Sequence, residues 1–141
     1  MITKKILITP GDGIGPEVTE QAVQILKQVA PLFDIHLELT EKPVGGIAYD
    51  LTGTPLPNET LDAAKISDAV LLGAVGGPKW EPLNFSVRPE RGLLKLRAEL
   101  ERLVLATVSD PDQAYEMLPM LSELFGARGS TEDLNTEVED S

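Results

Sequence analysis

The sequence predicts an α/β fold, a three-layer fragment with a parallel sheet. Short apolar or β-branched runs at Lys5–Thr9, Ile35–Glu41 and Ala69–Ala74 read as strands. Segments of helical periodicity lie between them, the alternation from which βαβ units are built. The third run, AVLLGA, is apolar throughout, as expected of a strand covered on both faces of a parallel sheet.

The elements follow in order. KILIT stops at Pro10-Gly11, a strand followed by a turn. Pro16 then takes the first position of a helix, and Val18, Ala22, Ile25, Leu26 and Val29 recur at helical spacing as far as Pro31. IHLELTE alternates as a half-buried strand does, with His36 on its polar-facing set beside Glu38. The stretch 43–57 is rich in Gly and Pro and reads as loop, after which Asn58 caps a short helix ending near Ser67. A loop from Gly76 to Arg91 leads into a helix beginning at Gly92.

A chain of 141 residues fits one domain and is long enough to bury a core. Without cysteine, disulfides and thiolate metal sites are excluded, and a single histidine excludes a His-based cluster or triad within one chain. No stretch has the length of a membrane span or a signal-peptide core, so the expected location is the cytoplasm. The net charge of −11 is concentrated towards the end, where residues 102–141 hold 9 of the 23 acids but 2 of the 12 Lys and Arg. Such acidity argues against a nucleic-acid backbone or an anionic membrane as partner.

Three segments carry candidate chemistry. PGDGIGPE (Pro10–Glu17) joins the first strand to the first helix, where backbone amides and the helix N-terminus can face an anion. Its glycines run G-x-G-x-G, not the G-x-G-x-x-G of the dinucleotide fingerprint, and a plain tight turn explains them equally. AVGGPKW (Ala74–Trp80) leaves the carboxyl end of a strand, where ligands of open α/β sheets bind, with Trp80 as a lid on the core in the plainer reading. RPERGLLKLR (Arg88–Arg97) sets Glu90 before a helix whose apolar set is Leu93, Leu94, Leu96 and Leu100. Arg97 lies on a neighbouring face. An arginine there can fork a carboxylate, or simply be solvated.

In combination, LITPGDGIGPEV, VGGIAYDLTGTPLP, DAVLLGAVGGPKWE and RPERGLLKLRAEL closely resemble, in order and spacing, the N-terminal part of the 3-isopropylmalate dehydrogenases. These belong to the β-decarboxylating (isocitrate/isopropylmalate) dehydrogenase family. The resemblance covers about residues 4–101. It implies an incomplete first domain of that fold and NAD-dependent oxidative decarboxylation of 3-isopropylmalate in leucine biosynthesis, with Mg²⁺ or Mn²⁺ as Lewis acid. It further implies that Gly77, Pro78, Lys79 and Glu90 line the nicotinamide side of the cofactor site, with Ile14 close to the cofactor. Leu93 and Leu94 would meet the substrate's isopropyl group, and Arg97 its malate carboxylate.

The quoted match then breaks. Where the family continues with a segment of the type F-A-N-L-R-P, this chain reads LVLATVS, and Thr107 stands at the place of a second substrate arginine. The family's Tyr and Lys proton shuttle, metal-binding aspartates and adenosine loop have no counterparts, so no residue is assigned a catalytic or metal-binding role. The organisation expected is a family-like segment 1–104, a non-family helical segment 105–126, and an acidic tail 127–141. In the middle segment Asp110 caps, Pro111 opens the helix, and Ala114, Met117, Leu118, Leu121, Leu124 and Phe125 form a stripe.

Three functions fit these features. One is a truncated 3-isopropylmalate dehydrogenase-like chain, inactive alone. Another is a split-enzyme subunit completed by a complementing chain or further copy over the open sheet. The third is a non-catalytic interaction module using the 111–125 helix and the tail.

Overall fold

The computed structural model describes residues 1–107. Its three strands, β1 (Ile2–Gly11), β2 (Ile35–Glu41) and β3 (Ala69–Ala74), form one sheet in the order β2-β1-β3. Both pairings are parallel, with Ile6 opposite Leu39 on one side and Ala69 on the other. The predicted α/β architecture is therefore present, and β1 extends beyond the KILIT run at both ends. Among the described residues β2 and β3 are both edge strands.

Parallel register puts paired residues on a common face. Leu7 and Thr9 share one face with Val70 and Leu72; Ile6 and Ile8 share the other with Leu39 and Leu71. The first face carries the core: Leu7, Val44, Leu56, Ala64 and Leu96 are buried together, with Val70, Leu72 and Leu100 packed around them. This core is supplied by the sheet, α3 (Asn58–Lys65), α4 (Pro89–Thr107) and the loop residues Val44 and Leu56.

The opposite face receives α1 (Gly15–Val29). The helix starts one residue before Pro16, and Gly15 and Thr19 are its buried residues. Gly73 of β3 leaves room for the Thr19 hydroxyl and the Pro10 carbonyl, which lets α1 lie close against the sheet. The apolar set read from the sequence divides here. Ala22 and Leu26 are half-buried, while Val18, Ile25 and Val29 are exposed. Positions 15, 19, 22 and 26 form the stripe that meets the sheet, and 18, 25 and 29 form a second stripe beside it.

Besides the one-residue offset of α1, two helix starts and one whole helix differ from the sequence reading. Pro57, not Asn58, is the N-cap of α3, accepting from Thr60 and Leu61 N–H at 3.0 and 3.1 Å. Helix α4 begins at Pro89 instead of Gly92, since Pro suits the first helical position, so Glu90 lies inside the first turn. The Gly/Pro-rich stretch contains α2 (Gly46–Thr52), a seven-residue helix closed by Gly53 in the left-handed conformation. His36 is exposed on β2 between half-buried Ile35 and Leu37, as its alternation predicts. The expected 111–125 helix and the 127–141 tail lie outside the described residues.

Candidate functional site

The carboxyl ends of β1 and β3 lie side by side, and the loops leaving them meet. Asp12 N–H donates to the Ala74 carbonyl at 2.7 Å, tying the glycine loop to the end of β3. The Asp12 side chain, 4% exposed, then accepts three backbone N–H groups. Its Oδ2 takes Gly46 N–H at 2.7 Å and Gly76 N–H at 2.9 Å; its Oδ1 takes Ile47 N–H at 2.8 Å. A buried carboxylate is tolerated where donors of this kind satisfy it. The first two amides of α2, which lacks a side-chain cap of its own, are thus capped by a residue 34 positions upstream.

Beyond Gly76 the loop turns back towards α4. Gly76 has φ +102°, a conformation open to glycine, and its α-carbon faces the Glu90 carboxylate: a β-carbon there would stand 2.5 Å from Glu90 Oε1. Gly77 and Glu90 line one small cavity of about 220 Å³ with Trp80, Glu81, Arg88 and Pro89. Arg88 holds its far wall, donating from Nε to the Leu83 carbonyl at 3.2 Å and from Nη2 to the Glu81 carbonyl at 2.9 Å.

Lys79 and Trp80 are held from α2. Asp50 Oδ2 accepts from Lys79 Nζ at 2.6 Å and Oδ1 from Trp80 Nε1 at 3.1 Å. The two donors, Lys79 first and Trp80 second, lower the Asp50 pKa from its ordinary value. The indole lies flat against Gly46, where any β-carbon would overlap the ring. Trp80 therefore covers the start of α2 and not the hydrophobic core. Lys79 points to Asp50, and Pro78 is exposed at the start of a 3-10 turn.

Helix α4 separates the remaining candidates by face. Pro89, Gly92 and Leu96 are buried, spaced three and four apart on the core side. Glu90, Leu94 and Arg97 follow the same spacing on the outer side and are exposed, with Leu93 between the two faces. Leu94 is 51% exposed and Leu96 2%, so the four leucines read as one apolar set belong to two surfaces. From Glu90 to Arg97 is about 10 Å along the axis at 1.5 Å per residue. Ile14, in the glycine loop at the N-cap of α1, is 67% exposed.

The structure thus brings Gly77 and Glu90 together, aligns Glu90, Leu94 and Arg97 on one helix face, and directs Lys79 elsewhere. A larger groove of about 650 Å³ lies between α1 and α2 and is lined by none of these candidates. Among the described residues no three His, Cys, Asp or Glu side chains converge to hold a metal ion. Among them, too, no helix is long and apolar enough to cross a membrane.

The family model described as isocitrate/isopropylmalate dehydrogenase matches residues 5–124. The chain belongs to this family. Within it, the 3-isopropylmalate dehydrogenase of Methylococcus capsulatus is 54% identical over 100 residues, which are 71% of this chain and 28% of that relative. The enzyme of the same name from Hydrogenovibrio crunogenus is 55% identical over the same shares. The chain is also similar to the apo crystal structure of a β-decarboxylating dehydrogenase from Thermococcus kodakarensis. That likeness has a TM-score of 0.53 at 33% identity and covers 69% of this chain and 26% of the other. Similarity to isocitrate dehydrogenase from M. capsulatus has a TM-score of 0.55 at 26% identity and covers 72% and 26%. The chain therefore spans a little over a quarter of the length of the curated relatives it matches. The family match runs on to residue 124, past the 4–101 span of the resemblance.

Sequence reasoning passed over Asp12, Asp50 and Arg88 as site-building groups. The signal for Asp12 was a lone acid between two glycines in a turn. Its partners are 34, 35 and 64 residues away, beyond any local pattern.

Proposed function

We propose that this isocitrate/isopropylmalate dehydrogenase family chain contributes the substrate-facing helix and the nicotinamide-side loop of a 3-isopropylmalate dehydrogenase. The observation that carries the reading is the outer face of α4. A carboxylate, an apolar side chain and a guanidinium follow one another at helical spacing beside the glycine loop that leaves β3.

Arg97 offers paired N–H donors to a substrate carboxylate, a geometry that fixes orientation as well as charge. Leu94, with Leu93 at the edge, presents hydrocarbon to a branched alkyl group one turn away. Glu90 accepts hydrogen bonds from sugar hydroxyls, and Gly76 and Gly77 let a ligand approach the backbone. The cavity at Gly77 and Glu90, about 220 Å³, is below the usual 300–1,000 Å³ of a ligand pocket. It therefore fits the nicotinamide-ribose part of a dinucleotide and not the whole. When bound, NAD supplies the hydride acceptor. The residues of this chain bind and orient the reactants around it.

No metal-binding set is present among the described residues, and no step is assigned through a metal. The remaining groups come from polypeptide that completes the sheet, consistent with the two edge strands of the described residues. The chain alone is accordingly expected to turn over no substrate.

A chimaera tests this reading. The matched 100-residue segment of the M. capsulatus 3-isopropylmalate dehydrogenase is replaced by the corresponding segment of this chain, and NAD reduction is followed with 3-isopropylmalate and Mg²⁺. Turnover within about tenfold of the parent enzyme, where a factor of ten is about 1.4 kcal/mol in barrier, is expected. A well-folded chimaera without activity contradicts the proposal, as does robust turnover by the 141-residue chain alone.

A further inference from the structure

We propose that Asp12 is a positioning residue for the cofactor-side loop, setting the separation of Gly76 and Gly77 from Glu90 with one buried carboxylate. The inference rests on the reading of Gly77 and Glu90 as cofactor-lining residues.

Three chain segments converge on this side chain: the glycine loop that carries it, the start of α2, and the loop leaving β3. Oδ2 is shared between Gly46 and Gly76, so a single atom spaces α2 from the Gly76 peptide. Gly76 in turn packs against the Glu90 carboxylate, and Gly77 shares a cavity with it. The far end of the same loop is held by α2 itself, through Asp50 on Lys79 and Trp80. Asp12 thus anchors the loop twice: directly at Gly76, and indirectly by fixing the helix that grips Lys79 and Trp80.

Other side chains at this position do not satisfy the junction. Alanine leaves the Gly46, Ile47 and Gly76 N–H groups, the first buried and the others partly so, without this acceptor, and each must find water or move. Asparagine keeps one acceptor oxygen and turns an NH₂ towards a donor, so it restores one side of the junction and repels the other. Neither change touches Leu94 or Arg97, which stand on the outer face of α4 away from the junction.

The test uses the full 141-residue chain and three NMR readouts. Amide exchange in Asp12→Ala should speed at least tenfold at Gly46, Ile47 and Gly76 together, while Leu7 and Ile8 in β1 keep their protection. Titration with NAD should shift Gly76 and Gly77 in the parent chain, with binding weakened at least tenfold in Asp12→Ala and by a smaller factor in Asp12→Asn. The response of the Arg97 Nε–H signal to 3-isopropylmalate should stay within twofold. If Asp12→Ala loses protection throughout the sheet, Asp12→Asn carries the comparison, with at least threefold weaker NAD binding expected. Unchanged NAD binding in a variant whose Gly76 amide is freed overturns the positioning role alone. Absence of any NAD-dependent shift in the parent chain overturns the cofactor reading and this inference with it.

Discussion

Gly92, in the first turn of α4, lies so close to Pro55 that a β-carbon would stand 2.6 Å from the Pro55 carbonyl oxygen. This contact lets α4 press its Pro89–Leu96 side onto the core while its outer face carries the candidate site. Alanine normally favours a helix over glycine by about 0.5–1 kcal/mol. Here the obstacle is backbone, which cannot rotate aside, and overpacking of this kind costs about 1–3 kcal/mol. The clash outweighs the propensity. Gly92→Ala should lower stability by about 1–2 kcal/mol, read as a lower urea midpoint at unchanged slope. A higher midpoint would show that α4 stands off from Pro55.

Two neighbouring leucines should respond in opposite ways. Leu96 is buried with Leu7, Val44, Leu56 and Ala64, so Leu96→Ala should cost about 2–5 kcal/mol of stability. Leu94 is half exposed, and Leu94→Ala should stay within about 0.5 kcal/mol. In the active chimaera the same Leu94→Ala should raise the KM for 3-isopropylmalate several-fold. Equal stability losses in the two variants would mean that α4 is rotated from the orientation described.

The Asp50 anchor of Lys79 and Trp80 should be lost in acid. Its pKa is lowered in the folded chain, so its contribution is full above the unfolded value, about 3.8, and disappears as pH falls through the lower folded value. The Asp50 carboxyl carbon and the Trp80 indole N–H should titrate together, with a midpoint below that of an ordinary aspartate. A midpoint at or above the ordinary value would show that the anchor is not formed in solution. Because the carboxylate is solvent-exposed, the effect belongs to loop order more than to global stability.

Trp80, the sole tryptophan, reports on the α2 junction directly. A β-carbon on Gly46 would overlap its ring, so Gly46→Ala should expel the indole. Fluorescence emission is expected to move to longer wavelength, whereas an unchanged spectrum would place Trp80 elsewhere.

The strand order β2-β1-β3 has no local signature. The strands and their parallel arrangement are legible because each strand has one: β-branched runs, alternation in IHLELTE, and the apolar AVLLGA. Helix α2 was hidden for the opposite reason. Seven residues are too few to hold a helix by propensity, and its cap comes from Asp12 across the fold. The start of α4 is hard to place from sequence because Pro89, in a Pro- and Arg-containing stretch that reads as loop, serves as the first helical residue. On the site side, the motifs mark Gly77 and Glu90, and these two residues share a cavity. They also mark Lys79, whose ammonium an aspartate 29 residues upstream engages. Periodicity could say that Leu93, Leu94, Leu96 and Leu100 are apolar; only the packing of Gly92 on Pro55 decides which of them turns outward.

In the proposed function, the outer face of α4 binds substrate through Arg97. The most direct test of this contact is kcat/KM for 3-isopropylmalate in the active chimaera carrying Arg97→Ala and, separately, Arg97→Lys. Loss of a charge-assisted, paired contact predicts a fall of about 100-fold for alanine, roughly 2.7 kcal/mol, and a smaller fall for lysine, with the KM for NAD unchanged. Turnover within threefold of the unsubstituted chimaera in both variants would contradict the account.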